Sequence, residues 1–311
     1  MQNKFNRIQL IALLLFLVLS VMLAASGIAI AQNKGDKYVL DSLKMLLSAR
    51  TIEGDLRIET YVDGKKYTAE GNYAEQALPQ ATPKTFLRSM YRLEIIFINL
   101  PTANNSKPNR MTLVCHPSEE RERNLMTRYT CIEGFESFST IHLSRVEEWL
   151  KTVNHATAFA GISEVRNWGG LAGTMRQISR FYEFAAPTQE NLPDEETVAT
   201  WKLTGTLKNI YLKELLEQFG GANKKGQYPA DFPSDIEVWL GQHNDFPYKI
   251  RYLRRASEKS APKTPLFQES FSKVIVGGTP MPASKFSPLT PPEDVSNVQD
   301  ETENFIHTLG L

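Results

Sequence analysis

The chain has 311 residues, with 35 Lys and Arg against 35 Asp and Glu and a formal charge of zero at pH 7. That balance argues against a polyanion as the main partner, so nucleic acid is not an expected ligand. Apolar residues make up 41% and aromatics 10%, which is enough for a sizeable core and too much for a disordered chain.

The first element, MQNKFNRIQLIALLLFLVLSVMLAASGIAIAQ, reads as an export signal and not as part of a fold. Lys4 and Arg7 form its basic start, Ile8 to Ala25 its apolar stretch, and Ala29-Ile30-Ala31 a small-x-small cleavage site. Cleavage is expected after Ala31, which places the protein in the periplasm. The apolar stretch is longer than usual, so an inner-membrane anchor formed by an uncleaved signal is the alternative. No cysteine follows it, so there is no lipobox. This divides the chain into a signal peptide over 1–31, a folded body over 32–279, and a Pro-rich extended segment over 280–311 that packs on the body.

From Thr51 the pattern alternates with period two. Ile52, Leu56, Ile58 and Val62 oppose Glu53, Asp55, Arg57 and Glu59, and Asp63-Gly64 is a hairpin turn. A return strand carries Tyr67, Ala69 and Tyr73 on one face. A third sets Leu87, Tyr91, Leu93, Ile95 and Phe97 against Arg88, Arg92 and Glu94. After the loop PTANNSKPN, RMTLVCH and RNLMTRYTCIEG form a further pair around PSEERER. They carry the only two cysteines, Cys115 and Cys131. A bridge between them would close a loop of roughly 15 residues and contribute about 3 kcal/mol in an oxidising compartment. A turn within HPSEERER sets Cys115 opposite a residue near Asn124 instead, so the pairing is left open.

The period then changes. Ser144 and Glu147 have capping-box spacing ahead of Val146, Trp149, Leu150 and Val153, and Leu171, Met175, Ile178 and Tyr182 recur at helical spacing. TVATWKLTGTL returns to strand, with Trp201 and Leu203 alternating against Thr200, Lys202 and Thr204. KNIYLKELLEQFGG is helical, with Leu212, Leu215, Leu216 and Phe219 on one side and Gly220-Gly221 as its stop. DIEVWLGQHNDFPYKIRYLRR is a hairpin with one greasy face (Ile236, Val238, Leu240, then Ile250 and Tyr252) and one wet face. PLFQESFSKVIV is the last strand, and Phe286 and Val295 are expected to anchor the Pro-rich tail.

A long antiparallel sheet with one apolar face needs a cover, and helices over 144–154, 170–184 and 208–219 are the candidates. The five histidines are scattered, with no His-x-x-x-His pair, no Gly-x-Ser-x-Gly elbow and no phosphate loop. A non-enzymatic protein without metal or organic cofactor is expected.

This order of parts resembles the LolA-like family of periplasmic lipoprotein carriers. The closing portion carries the likeness: Phe246-Pro247 before a basic alternating strand, then Phe286, Pro288, Pro291, Pro292, Val295, Asp300 and Thr302. The resemblance implies an α+β, mainly antiparallel fold, an incomplete half-open β-barrel covered by a lid of α-helices. It implies an apolar cavity that takes up acyl chains of a lipid or lipoprotein, with envelope membrane proteins as partners for loading and release. Strand alternation puts Leu56, Ile58, Tyr91, Leu93, Phe97, Trp201, Leu203, Val238, Ile250 and Tyr252 on the apolar face, and these are the residues expected to line the cavity. The competing expectation is an envelope regulatory or structural module that binds a protein partner through the same fold.

Overall fold

The computed structural model describes residues 35–62, 64–78, 89–99, 109–117, 125–133, 137–144, 162–211, 233–254, 263–291 and 297–309. The expected helix over 144–154 beyond Ser144, which ends a strand, most of that over 208–219, the signal segment and Val295 lie outside the described residues, as do Leu87 and Arg88. Thirteen strands are present among the described residues. They are β1 (Thr51–Val62), β2 (Lys65–Ala77), β3 (Ser89–Phe97), β4 (Arg110–Pro117), β5 (Leu125–Glu133), β6 (Ser137–Ser144), β7 (Tyr182–Phe184), β8 (Thr188–Leu192), β9 (Glu195–Leu207), β10 (Asp235–Gly241), β11 (Pro247–Arg254), β12 (Thr264–Val276) and β13 (Asn297–Asp300).

They form one open sheet in the order β13-β6-β5-β4-β3-β2-β1-β12-β11-β10-β9-β7, with β8 paired to β9. Every pairing is antiparallel except β13 on β6. The first and last long strands meet at β1–β12, so the middle of the sheet joins distant parts of the chain. Register shifts lie between Glu53 and Asp55, Trp239 and Leu240, and Tyr252 and Leu253. Each such irregularity sharpens the local twist and bends the sheet.

Three helices are described: α1 over residues 35–48, α2 (Ile162–Phe181) and α3 (Thr302–Leu309). Sequence reading left α1 out of the cover. Its Val39 and Leu46 are buried in the same core as Trp168, Leu171, Met175, Ile178 and Phe181 of α2 and the inner residues of the sheet. The helix expected over 170–184 starts earlier and stops at Phe181, where β7 takes over.

Two further expectations need correction. The wet face of β10–β11 is not simply wet: Trp239 is 1% exposed. Its ring lies within 5.5 Å of Lys202 Nζ, Lys249 Nζ and the Arg251 guanidinium, and its Nε1 donates to Glu190 Oε1 at 2.6 Å. Cation–π contact and the stems of long basic side chains bury an aromatic ring on a polar face. The tail is not simply extended either. It runs through a short 3-10 turn (Ala283–Phe286), then β13 and α3. Phe286 is fully buried with Met281 and Ala74 on the outer face, which makes it the anchor expected of it.

The cysteines are both buried and are not bridged to each other. Cys115 pairs across the strands with Arg128 and Cys131 with Thr112, so they project to opposite faces of the sheet. Strand β4 runs on to Pro117 and β5 begins at Leu125, so the connection lies further along the chain than HPSEERER suggested.

Candidate functional site

The ten expected residues all lie on the inner face, and cross-strand register shows why they converge. One row runs Leu203, Val238, Ile250, Glu269, Ile58, Ala69, Phe97 from β9 to β3. A neighbouring row brings Leu56 beside Phe271 and Gly71, and another places Tyr252 beside Ile236 and Phe267. Leu56, Tyr91, Leu93, Leu203, Val238, Ile250 and Tyr252 are buried, whereas Ile58 and Phe97 are partly buried and pack against that core. Trp201 is also half-buried, and its ring meets Tyr38 of α1 edge-on at 5.5 Å. The half-buried three are therefore the ones that keep part of the side chain exposed.

Three ionisable residues interrupt this apolar face and escaped sequence reading. Glu269 is 0% exposed and is flanked across the strands by Ile58 and Ile250. Glu75 and Arg128 share the row Ile52, Glu75, Tyr91, Cys115, Arg128, Ile141. The signal was their phase: Glu269 stands two residues from both Phe267 and Phe271, Glu75 two from Tyr73, and Arg128 two from Met126. Alternation assigns each to the apolar side, however polar it is.

Glu75 and Arg128 are held by neighbours on other elements. Tyr73 OH donates to Glu75 Oε2 at 2.5 Å and the Leu171 N–H donates to the same oxygen at 3.1 Å. Helix α2 is broken at Gly170, with φ 59 and ψ −160, so Leu171 begins a new helical run whose unpaired N–H groups face a carboxyl on the sheet. This contact fastens α2 to β2. The Arg128 guanidinium lies 5.5 Å from the Trp168 ring and 5.4 Å from the Phe305 ring, which joins β5, α2 and α3.

Among the described residues the opposite face is polar, and cavities on it include two of similar size. One, of about 510 Å³, is lined by residues that include Glu53, Asp55, Arg92, Lys273 and Lys285. The other, of about 540 Å³, is lined by residues that include Arg57, Glu59, Lys66, Asp194, Lys249 and Arg251. Burial alone would raise the Glu59 carboxyl, but hydrogen bonds from Lys66, Tyr61 and Arg57 outweigh it and hold the group below its ordinary value. The Tyr182 phenol is pushed well above its ordinary value by complete burial, and its OH donates to the Pro233 carbonyl at 2.8 Å. No group of three or more His, Cys, Asp or Glu among the described residues could hold a metal ion.

No family model matches the chain, and no curated protein matches it. Its structural neighbours are DUF1329, MucB and LolA superfamily proteins at low sequence identity. A DUF1329 family protein from Desulfovibrio piger is 9% identical, with 83% of this chain and 97% of that chain covered and a TM-score of 0.35. MucB of Pseudomonas aeruginosa, in its complex with MucA, is 12% identical over 82% of this chain and 61% of that chain, with a TM-score of 0.36. An outer membrane lipoprotein-sorting protein domain from Vibrio parahaemolyticus is 9% identical, covering 82% of this chain and 97% of that one, with a TM-score of 0.32. The likeness is one of fold and carries nothing about function. The open, mainly antiparallel sheet with few helices is itself what agrees with a half-barrel.

Proposed function

We propose that this protein is an exported, periplasmic carrier that holds acyl chains of a lipid or lipoprotein against the inner face of its half-barrel, beneath α1 and α2. The observation that supports this is the cross-sheet row from Leu203 to Phe97, in which apolar side chains from β9, β10, β11, β1, β2 and β3 align on one face, interrupted at β12 by Glu269. Such a face takes hydrocarbon without needing a directional partner. Each buried methylene contributes about 0.8 kcal/mol, so a chain of a dozen carbons supplies on the order of 10 kcal/mol before association costs. The tail packs on the outer face through Phe286, and its helix α3 packs on the inner core through Phe305 beside Trp168.

The test is fluorescent fatty-acid binding by Phe97→Asp and Trp201→Asp. Both side chains are half-buried, so the folded state tolerates substitution better there than at Val238 or Leu203. A carboxylate placed on the apolar face opposes binding by several kcal/mol unless paired, and affinity should fall at least 100-fold. Ile275→Asp, at a side chain 63% exposed, should bind as the unsubstituted chain does. Equal binding by all three variants, each folded by circular dichroism, would remove the inner face as the site. A stable envelope-protein complex in a pull-down would then favour the interaction module.

A further inference from the structure

The last described segment of the chain reaches the inner face from the edge of the sheet. Strand β13 adds to β6 through residues 297–300, in the one parallel pairing among the described strands. Its Val298, Gln299 and Asp300 are all exposed. Helix α3 then turns inward. Phe305 and Ile306 pack on the inner core, and the Phe305 ring stands 5.8 Å from the Trp168 ring and 5.4 Å from the Arg128 guanidinium. An apolar ring from the chain's own tail therefore rests on the face proposed to take acyl chains.

The attachment is light beside that of the other helices. Val39 of α1 and Leu171, Met175 and Ile178 of α2 are at most 1% exposed, whereas none of the side chains over 302–306 of α3 is buried. At eight residues, α3 is too short to stand as a helix alone. Polar bonds fix its start. The Thr302 N–H and hydroxyl donate to Asp300 Oδ1 at 3.0 and 2.5 Å, the His142 N–H donates to Thr302 Oγ1 at 2.9 Å, and the Glu301 N–H donates to the Thr140 carbonyl at 2.9 Å. Upstream, the fully buried Phe286 pins the same tail to the outer face. Release of β13 and α3 would thus leave the tail attached and break no strand pair except β13–β6.

We propose that β13 and α3 form a releasable strap that competes with the ligand for the inner face: Phe305 covers the end of that face nearest β5 and β6, and an acyl chain and α3 exclude each other there. The inference rests on the proposed acyl-carrier function. Hydrocarbon laid against Trp168 and its neighbours replaces the apolar contact that Phe305 gives up, so exchange of one for the other costs little burial. A ligand shifts such an equilibrium only by its preference for the released state. Apparent affinity is then the intrinsic affinity scaled by the fraction of chains whose strap is released. Loosening α3 should therefore tighten binding, although it removes an apolar side chain from the inner face.

Fluorescent fatty-acid binding by two variants of the full chain tests it. The first is Phe305→Ala. The second carries Ser139→Cys and Gln299→Cys, at positions that face each other across β6 and β13, so that a disulfide holds the strap down. Cys115 and Cys131 are buried and take no part. Phe305→Ala should bind about 10-fold more tightly than the unsubstituted chain, and the bridged chain about 10-fold more weakly. Reductant should return the bridged chain to the unsubstituted affinity, a comparison made within one molecule and so independent of any loss of folding in Phe305→Ala. Equal affinity in the bridged and reduced forms would overturn the strap while leaving the carrier function standing. Weaker binding by a folded Phe305→Ala would also overturn it, by making Phe305 part of the ligand surface. Absence of binding by every form would overturn the carrier function and the strap with it.

Discussion

Replacing Gly170 by alanine perturbs the point where α2 is fastened to the sheet. The glycine sits at φ 59 and ψ −160, a region that side chains enter at a cost of about 1–3 kcal/mol. A Cβ there would lie 2.2 Å from Glu75 Oε1 and 2.7 Å from Oε2, inside any permissible contact. The Glu75 carboxyl cannot swing aside freely, because it is 6% exposed and accepts from Tyr73 OH and the Leu171 N–H. Displacing it leaves buried polar groups unmade at about 1–3 kcal/mol each. The total expected is about 3–6 kcal/mol, measured as a lower urea midpoint with an unchanged slope. Gly64→Ala is the reference: φ is +75 but nothing lies within 4 Å of the added Cβ, so it should cost about 1–2 kcal/mol, the backbone part alone. If the two substitutions cost the same, the Glu75 contact is not what requires glycine at 170. Pairing Gly170→Ala with Glu75→Ala should recover part of the loss as a coupling energy of about 0.5–3 kcal/mol.

Glu59→Gln should flatten the acid limb of the stability curve. The folded carboxyl lies below its ordinary value of 4.5, so its contribution is present above that pH and is lost as pH falls through the folded value; an unchanged acid limb would contradict this. Leu203→Ala, at a side chain 0% exposed, should cost about 2–5 kcal/mol in urea, against a change within about 0.5 kcal/mol for Ile275→Ala. Asp194→Asn should cost about 1–3 kcal/mol by leaving Lys249 Nζ, now 2.5 Å from Asp194 Oδ2, without that carboxylate. Lys249→Met in the same chain should recover the loss. Both thiols should react with a thiol reagent only after unfolding, and reductant should leave the thermal midpoint unchanged. A midpoint that falls with reductant would mean a bridge.

Much of the inner face was legible because period two assigns each strand residue to a side whatever its chemistry. Leu56 through Tyr252 were found that way, from seven-residue to thirteen-residue strands whose apolar positions kept phase. The same rule should have exposed Glu75, Arg128 and Glu269, but a charged residue in apolar phase reads as noise until a neighbouring strand or helix supplies its partner. Glu75 illustrates this, since its donor at Leu171 is distant in sequence and depends on the break at Gly170. Helix α1 was missed because it follows closely on the apolar N-terminal stretch of the sequence and its stripe of Val39 and Leu46 is short. Trp239 looked solvent-facing because the residues that cover it, Lys202, Lys249 and Arg251, are themselves charged. Cys115 and Cys131 could not be resolved without strand register, which a loop of uncertain length left free. Pairwise order across the sheet, above all β1 against β12, is set by contacts between distant segments that no local pattern encodes.

The central claim is most directly tested by extracting the protein purified from the envelope with organic solvent and identifying what it carried by mass spectrometry. The account predicts an acyl-bearing lipid or lipoprotein in stoichiometric amount, much reduced in Phe97→Asp prepared in parallel. A folded protein that carries no acyl species, and that takes up none when lipid is supplied after solvent extraction and refolding, would contradict it.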